Sequence, residues 1–253
     1  MYAAERQQRI LEHAQGEGRV EVATLADRFD VTTETVRRDL AVLEQQGLVR
    51  RVHGGALPTD RPVPELSLSS RIGRQADAKL RIATRALAEL PEDGTVLLDS
   101  GSTTLALAEL IPTDARLTVV TNNATIAAAL AGRENLTLLL IGGRVRTVTA
   151  AAVGPWATAA LAGLTVDVAF LGTNGFDAAH GLTTPDQDEA AVKRAMLDAA
   201  RTRVLLADSS KLGAVHLQRF ARTDELHTVI TDTDADDDAV DALRSAGPKV
   251  VTA

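Results

Sequence analysis

Residues 31–56 read Val-Thr-Thr-Glu-Thr-Val-Arg-Arg-Asp-Leu-Ala-Val-Leu-Glu-Gln-Gln-Gly-Leu-Val-Arg-Arg-Val-His-Gly-Gly-Ala, a pattern that few folds accommodate. Thr32 is placed to N-cap a helix, its hydroxyl on the free N–H groups of the first turn. Val36, Leu40 and Leu43 recur at i, i+4 and i+7 and predict one buried stripe. Thr33, Thr35, Arg37 and Arg38 fall outside that stripe, early in the helix, where recognition helices touch bases. Gly47 is expected to stop the helix. Leu48 to Val52 is β-prone and Gly54-Gly55 permits a turn, so Arg50, Arg51 and His53 are expected on a β-ribbon wing. Upstream, Val22 to Phe29 reads as a supporting helix and Arg6 to Ala14 as a first helix carrying Ile10 and Leu11. The expectation is a winged helix-turn-helix DNA-binding domain over residues 1–57.

Charge complicates that reading. Residues 1–57 hold eight arginines, no lysine and nine acidic residues, so the segment is not basic overall. The arginines are unevenly placed, however: from Arg37 to His53 there are four against Asp39 and Glu44. A solvated helix face, with Arg37 and Arg38 paired to Glu34 and Asp39, stays open beside DNA binding.

The chain has 253 residues, enough for one large or two modest domains. Hydrophobic residues make up 45% but aromatics only 2%, so the core must be built from Ala, Val and Leu. The lack of cysteine excludes disulfides, thiolate metal sites and a cysteine nucleophile. No signal peptide is expected from Met-Tyr-Ala-Ala-Glu-Arg, and no apolar run approaches membrane length, so a soluble cytoplasmic protein without a membrane partner is expected. A net charge of −7 argues against broad nucleic-acid coating.

Pro58, Pro62 and Pro64, followed by Ser67, Ser69 and Ser70, predict a linker over 58–78. Beyond it, in a domain expected over 79–253, apolar strand-like runs alternate with Ala-rich helical stretches. Such alternation implies an α/β domain with a mainly parallel, Rossmann-like sheet covered on both faces. The acidic run Asp232 to Asp241 reads as a solvated turn and helix start.

Open α/β sheets bind ligands at the carboxyl ends of their strands, and polar residues collect there. Asp99, Ser100, Gly101, Ser102, Thr103 and Thr104 join a strand to a helix, with hydroxyls beside free N–H groups, a setting suited to phosphate. Thr121, Asn122 and Asn123 follow the next strand, Gly142 and Gly143 the third, and Gly172, Thr173, Asn174 and Gly175 the fourth. Each alone is also compatible with a plain turn. Together they predict a rim of amides and hydroxyls suited to a polyol phosphate. Glu189 and Lys193 lie i, i+4 on a helix, either as a surface ion pair or as site residues, and Lys211 follows a later strand. No G-x-G-x-x-G follows a strand and the histidines lack ligand spacing, so neither a cofactor nor a metal is expected.

Thr35-Val-Arg-Arg-Asp-Leu40 and Gly47-Leu-Val-Arg-Arg-Val-His-Gly-Gly-Ala56 resemble the N-terminal signature of the DeoR family of bacterial transcription regulators. Asp99 to Thr104, Thr121 to Asn123, Gly142-Gly143, Gly172 to Gly175, Glu189 to Lys193 and Asp208-Ser-Ser-Lys211 extend the likeness over nearly the whole chain. The resemblance implies a sensor domain similar to sugar-phosphate isomerases of the ribose-5-phosphate isomerase and glucosamine-phosphate deaminase type. It also moves Lys193 and Lys211 toward the ligand site. The N-terminal pattern is most similar to the subgroup that regulates fructose uptake, which implies a repressor released from operator DNA by fructose 1-phosphate, with glycerol 3-phosphate as an alternative. A homodimer or homotetramer is expected, since one small wing-and-helix unit buries little DNA. Two other readings remain at this point: a sugar-phosphate isomerase or deaminase with an appended domain, and a ligand-free architectural protein.

Overall fold

The computed structural model describes residues 3–45, 48–59 and 65–253. The chain divides into two compact units, Met1–Pro64 and Glu65–Ala253.

The first unit contains α1 (Ala3–Glu17), β1 (Val20–Glu21), α2 (Val22–Phe29), α3 (Thr33–Gln45), β2 (Val49–Val52) and β3 (Gly55–Pro58). Thr32 caps α3 as its sequence predicts, its hydroxyl accepting from Thr35 N–H at 3.2 Å. Val36, Leu40 and Leu43 enter a core with Ile10, Leu11, Leu25 and Phe29. The stop expected at Gly47 lies outside the described residues. The three strands form an antiparallel sheet in the order β1-β3-β2. Two glycines shape its hairpin for different reasons. Gly54 turns the chain at φ +77°, whereas a Cβ on Gly55 would come within 1.9 Å of the Val20 carbonyl oxygen. Asp39 is buried, held by Arg6 Nε at 2.5 Å and Gln7 Nε2 at 2.8 Å.

The second unit opens with α4 (Leu68–Ile72) and α5 (Ala76–Ala86). It continues through β4 (Asp93–Leu98), α6 (Ser102–Leu110), β5 (Arg116–Thr121), α7 (Ala124–Leu130), β6 (Leu136–Leu140), β7 (Arg144–Arg146), β8 (Ala151–Val153) and α8 (Pro155–Ala162). Then come β9 (Val166–Leu171), β10 (Gly175–Asp177), β11 (Gly181–Thr184), α9 (Gln187–Ala199), β12 (Ala200–Leu206) and β13 (Gln218–Ala221). The unit closes with β14 (Thr228–Thr231), α10 (Asp237–Ser245) and β15 (Lys249–Thr252).

Seven strands form one parallel sheet in the order β15-β14-β12-β9-β4-β5-β6. Successive side chains on a strand point to opposite faces. Accordingly Leu97, Ala169, Leu171 and Leu205 join one apolar cluster, while Val96, Leu98, Val168, Phe170, Val204 and Leu206 join the other. This double burial is why the strands read as continuous apolar runs. From β4 the chain adds strands first on the β5 side and then on the β9 side, so the switch point lies between β4 and β9.

The linker expected over 58–78 differs from the structure. Pro58 still belongs to β3, and Ser67 caps α4 by accepting from Ser70 N–H. Leu68, Ala78 and Lys79 are buried in the second unit. Pro62 and Pro64 fall outside the described residues. The short strands β7, β8, β10, β11 and β13 lie in stretches without an expected element, because three- or four-residue hairpin strands show no periodicity. Asp236, in the acidic run, caps α10 by accepting from Ala239 N–H.

Candidate DNA-reading face and effector site

On the first unit, Thr33, Arg37 and Arg38 are exposed on α3 and Thr35 is half-buried. Glu34 lies 3.7 Å from both Arg37 and Arg38, and all three side chains stay more than half exposed. Such pairs are worth little and are exchangeable for phosphates or base edges. Asp39 does not compete for these arginines, because Arg6 and Gln7 occupy it. Arg50, Arg51 and His53 are exposed on the β2-β3 ribbon. Arg51 N–H donates to Glu44 and so ties the ribbon to the end of α3.

On the second unit, the rim residues divide into a framework and a set of open groups. Asp99, at the end of β4, is 1% exposed. It accepts from Ser100 N–H at 2.7 Å, from Gly172 N–H at 2.9 Å and from Lys193 Nζ. Lys193 also donates to the Gly172 carbonyl at 3.0 Å and lies over the Phe220 ring. Thus β4, β9 and α9 are tied together at the switch point. Thr104 gives its hydroxyl to the Asp99 carbonyl, Thr121 to the Leu98 carbonyl, and Thr173 to Gly175 and Thr183 carbonyls. Asn123 caps α7 through Thr125 and Ile126 N–H and donates to the Thr149 carbonyl. Gly143 and Gly175 allow close backbone approach, a Cβ there meeting Val153 O at 2.8 Å and Ala214 O at 2.1 Å.

The open groups are fewer. The first turn of α6 begins at Gly101 without a side-chain cap. The hydroxyls of Ser100, Ser102 and Thr103 beside it make no hydrogen bond among the described residues. Asn122 is 2% exposed, and while its amide donates to the Ala152 carbonyl, its Oδ1 has no donor among the described residues. Gly142 is exposed and Lys211 is half-buried.

Glu189 and Lys193 are not a surface pair, since both are at least 96% buried. Glu189 instead accepts from Thr149 at 2.5 Å and pairs with Arg146 at 2.8 Å. Burial alone would raise its pKa, but the Lys193 charge and the Thr149 and Arg146 contacts hold it below the usual carboxylate range. Arg146 also pairs with Glu65 and Asp186. Burial opposes its charge, but Glu189 and Glu65 outweigh that and raise its pKa. Glu65 in turn accepts from Asn174 at 3.1 Å, and Asn174 accepts from Thr184 at 3.0 Å. Arg146, Glu65, Thr149 and Thr184 were not singled out by sequence, because they lie in stretches without periodic pattern. Lys79 was also missed. It is buried, donates to the Arg71 and Arg74 carbonyls at 2.6 and 2.5 Å, and its pKa is lowered to about 8. Burial is the main cause, partly offset by Asp208 and reinforced by Lys211, Arg71 and Arg74.

A winged helix-turn-helix with an arginine-bearing helix, carried on one chain with a parallel sheet whose switch point has a polar mouth, defines a ligand-responsive DNA-binding regulator. Residues 6–61 match the DeoR-like helix-turn-helix domain and residues 74–233 the DeoR C terminal sensor domain, and the chain belongs to the DeoR family of transcriptional regulators. It is 39% identical to the HTH-type transcriptional regulator GlpR of Haloferax volcanii, over 99% of this chain and 98% of the relative. It is 34% identical to FruR of Bacillus subtilis strain 168, described as an uncharacterized HTH-type transcriptional regulator, over 92% of this chain and 93% of the relative. A solved ribose 5-phosphate isomerase A of Methanocaldococcus jannaschii aligns over 55% of each chain with a TM-score of 0.41 at 18% identity. The family models and the relatives make the protein a transcriptional regulator with a DeoR-type sensor domain, and not an enzyme.

Proposed function

We propose that this regulator is a repressor of fructose uptake and catabolism genes, released from its operator by fructose 1-phosphate bound at the strand ends of the second unit. The observation that carries the effector reading is the uncapped first turn of α6, with three unbonded hydroxyls, beside the β4–β9 switch point. That is a ready anion site. Asn122 Oδ1, buried without a donor, supplies an acceptor suited to a sugar hydroxyl. In this reading Ser102 and Thr103 hold the phosphate, Asn122 faces the sugar and Lys211 adds charge, while Asn174 stays bonded to Glu65 and Thr184. Asp99, Thr104, Lys193 and Glu189 hold the loops in place. Glycerol 3-phosphate is the second candidate. The first unit has nearly balanced charge, so tight operator binding calls for a homodimer or homotetramer on repeated half-sites. Trp156 and Leu217, both more than 80% exposed, offer apolar surface for a second copy.

The test is a gel-shift titration on DNA selected by the full-length protein from a random pool. Fructose, fructose 1-phosphate, fructose 6-phosphate and glycerol 3-phosphate are compared. Fructose 1-phosphate is expected to release the protein and free fructose is not. If no phosphate releases it, the effector reading fails, whereas release by another phosphate alone removes only the fructose assignment.

A further inference from the structure

Arg71 sits on α4 with Nε and Nη2 buried and without an acceptor among the described residues. The residue as a whole is half-buried, yet buried N–H donors without an acceptor are costly, and folds seldom keep them unmet. Among the described residues no carboxylate pairs with it. Arg71 acts on the Lys79 charge together with Arg74, Lys211 and the opposing Asp208. Asp208 acts on Lys79 but receives the Ser210 hydroxyl, and Asp232 accepts from Ser209 and Asp234 N–H groups.

The path of the chain shows where this positive corner faces. Leu68 N–H donates to the Val148 carbonyl at 2.7 Å, next to Thr149 and Ala150, which are bonded to Asn123 and Ala124 at the end of β5. At the other end, Lys79 lies in the field of Asp208 and Lys211, just past β12. The sheet order places β9 and β4 between β12 and β5. Residues 68–79 therefore cross the ends of β4 and β9, at the switch point. On the way, α4 packs against α6, the helix with the uncapped first turn. Just upstream, Glu65 is bonded to Asn174 and paired with Arg146 on the same rim. A guanidinium fork, further cations and free helix N–H groups together match a phosphomonoester dianion.

We infer that Arg71 reads the phosphoryl group of the effector. The inference rests on the effector reading above and adds the residue that recognises the ligand's charge.

Full-length wild type, Arg71→Gln, Arg71→Lys and Thr103→Ala are compared by calorimetric titration and thermal melting. The probes are fructose 1-phosphate, glycerol 3-phosphate and inorganic phosphate. Loss of a charge-assisted fork predicts that Arg71→Gln binds the phosphates about ten- to hundredfold more weakly, with partial recovery in Arg71→Lys. Ligand-free Arg71→Gln is expected to melt at or above the wild-type midpoint, because two buried N–H donors without an acceptor have been removed. If Arg71→Gln binds like wild type while Thr103→Ala loses affinity, the effector site stands and Arg71 leaves it. If Arg71→Gln melts lower but keeps the full ligand-induced rise, Arg71 is only structural and the inference is overturned. If wild type binds none of the three probes, the effector reading falls and this inference with it.

Discussion

Lys193 on α9 donates to the carboxylate of Asp99 at the end of β4, and both side chains are at least 95% buried. The same lysine holds the Gly172 carbonyl, and the same carboxylate holds the Gly172 N–H. One pair of charges therefore clamps the two loops on either side of the switch point. Removing one member of a buried pair strands the other, at about 3–5 kcal/mol. Lys193→Met is expected to lower stability by that order, whereas Asp99→Asn combined with Lys193→Met recovers part of the loss. Urea midpoints of the four proteins in this double-mutant cycle check it, and additive losses would deny the coupling.

The exposed arginines of the first unit divide into two kinds. If Arg37 or Arg38 contacts a base edge, its change to Ala costs about 1–3 kcal/mol and relaxes preference at one operator position. Arg50→Ala and Arg51→Ala are expected to weaken all sequences alike and flatten the salt dependence. Binding measured against a library of single-base operator variants at several salt concentrations separates the two. Unchanged affinity in both α3 variants would remove α3 as the reading helix.

Gly55 allows β3 to lie against β1, where a Cβ would meet the Val20 carbonyl oxygen at 1.9 Å. Backbone cannot yield as a flexible side chain does, so Gly55→Ala must displace β1 from β3. We expect a loss of about 1–3 kcal/mol in the first unit. Operator affinity should fall while calorimetric titration with the effector remains unchanged. Wild-type operator binding by Gly55→Ala would show that the β1–β3 contact is dispensable for the wing.

Lys79 carries a pH signature. Its pKa in the folded protein is about 8, below the 10.5 of the free side chain, so the folded state penalises its charge. That penalty is fully present below pH 8, and stability is expected to rise as pH increases from about 8 to 10.5. Arg71 and Arg74 before α5, and Lys211 and Asp208 after β12, are the charged groups acting on it. An anion bound in this corner favours the charged amine, so binding above pH 8 takes up a proton. Phosphate affinity is therefore expected to fall above that pH, approaching about tenfold per pH unit. Titrations between neutral and alkaline pH read this directly. An equally steep fall in Lys79→Met would assign it to another group.

Much of this protein was legible locally. The Thr32 cap, the Val36, Leu40 and Leu43 stripe and the Gly54-Gly55 turn determined α3 and its wing, because each acts within a few residues. The apolar runs likewise foretold a sheet buried on both faces, and the polar strand ends marked the rim. Sequence pattern did not reveal which rim residues are already engaged by the protein itself. Lys193 looked like the i+4 partner of Glu189, but its carboxylate lies 94 residues away, on a strand that reaches α9 only through the order β12-β9-β4. Arg146 gathers Glu65, Asp186 and Glu189 from three separate stretches, and residues 65–78 were read as linker although they pack on the second unit. Periodicity records which face of one element is buried. Tertiary structure alone decides which charges meet once strands distant in sequence become neighbours, since the low dielectric of the interior makes those pairings obligatory.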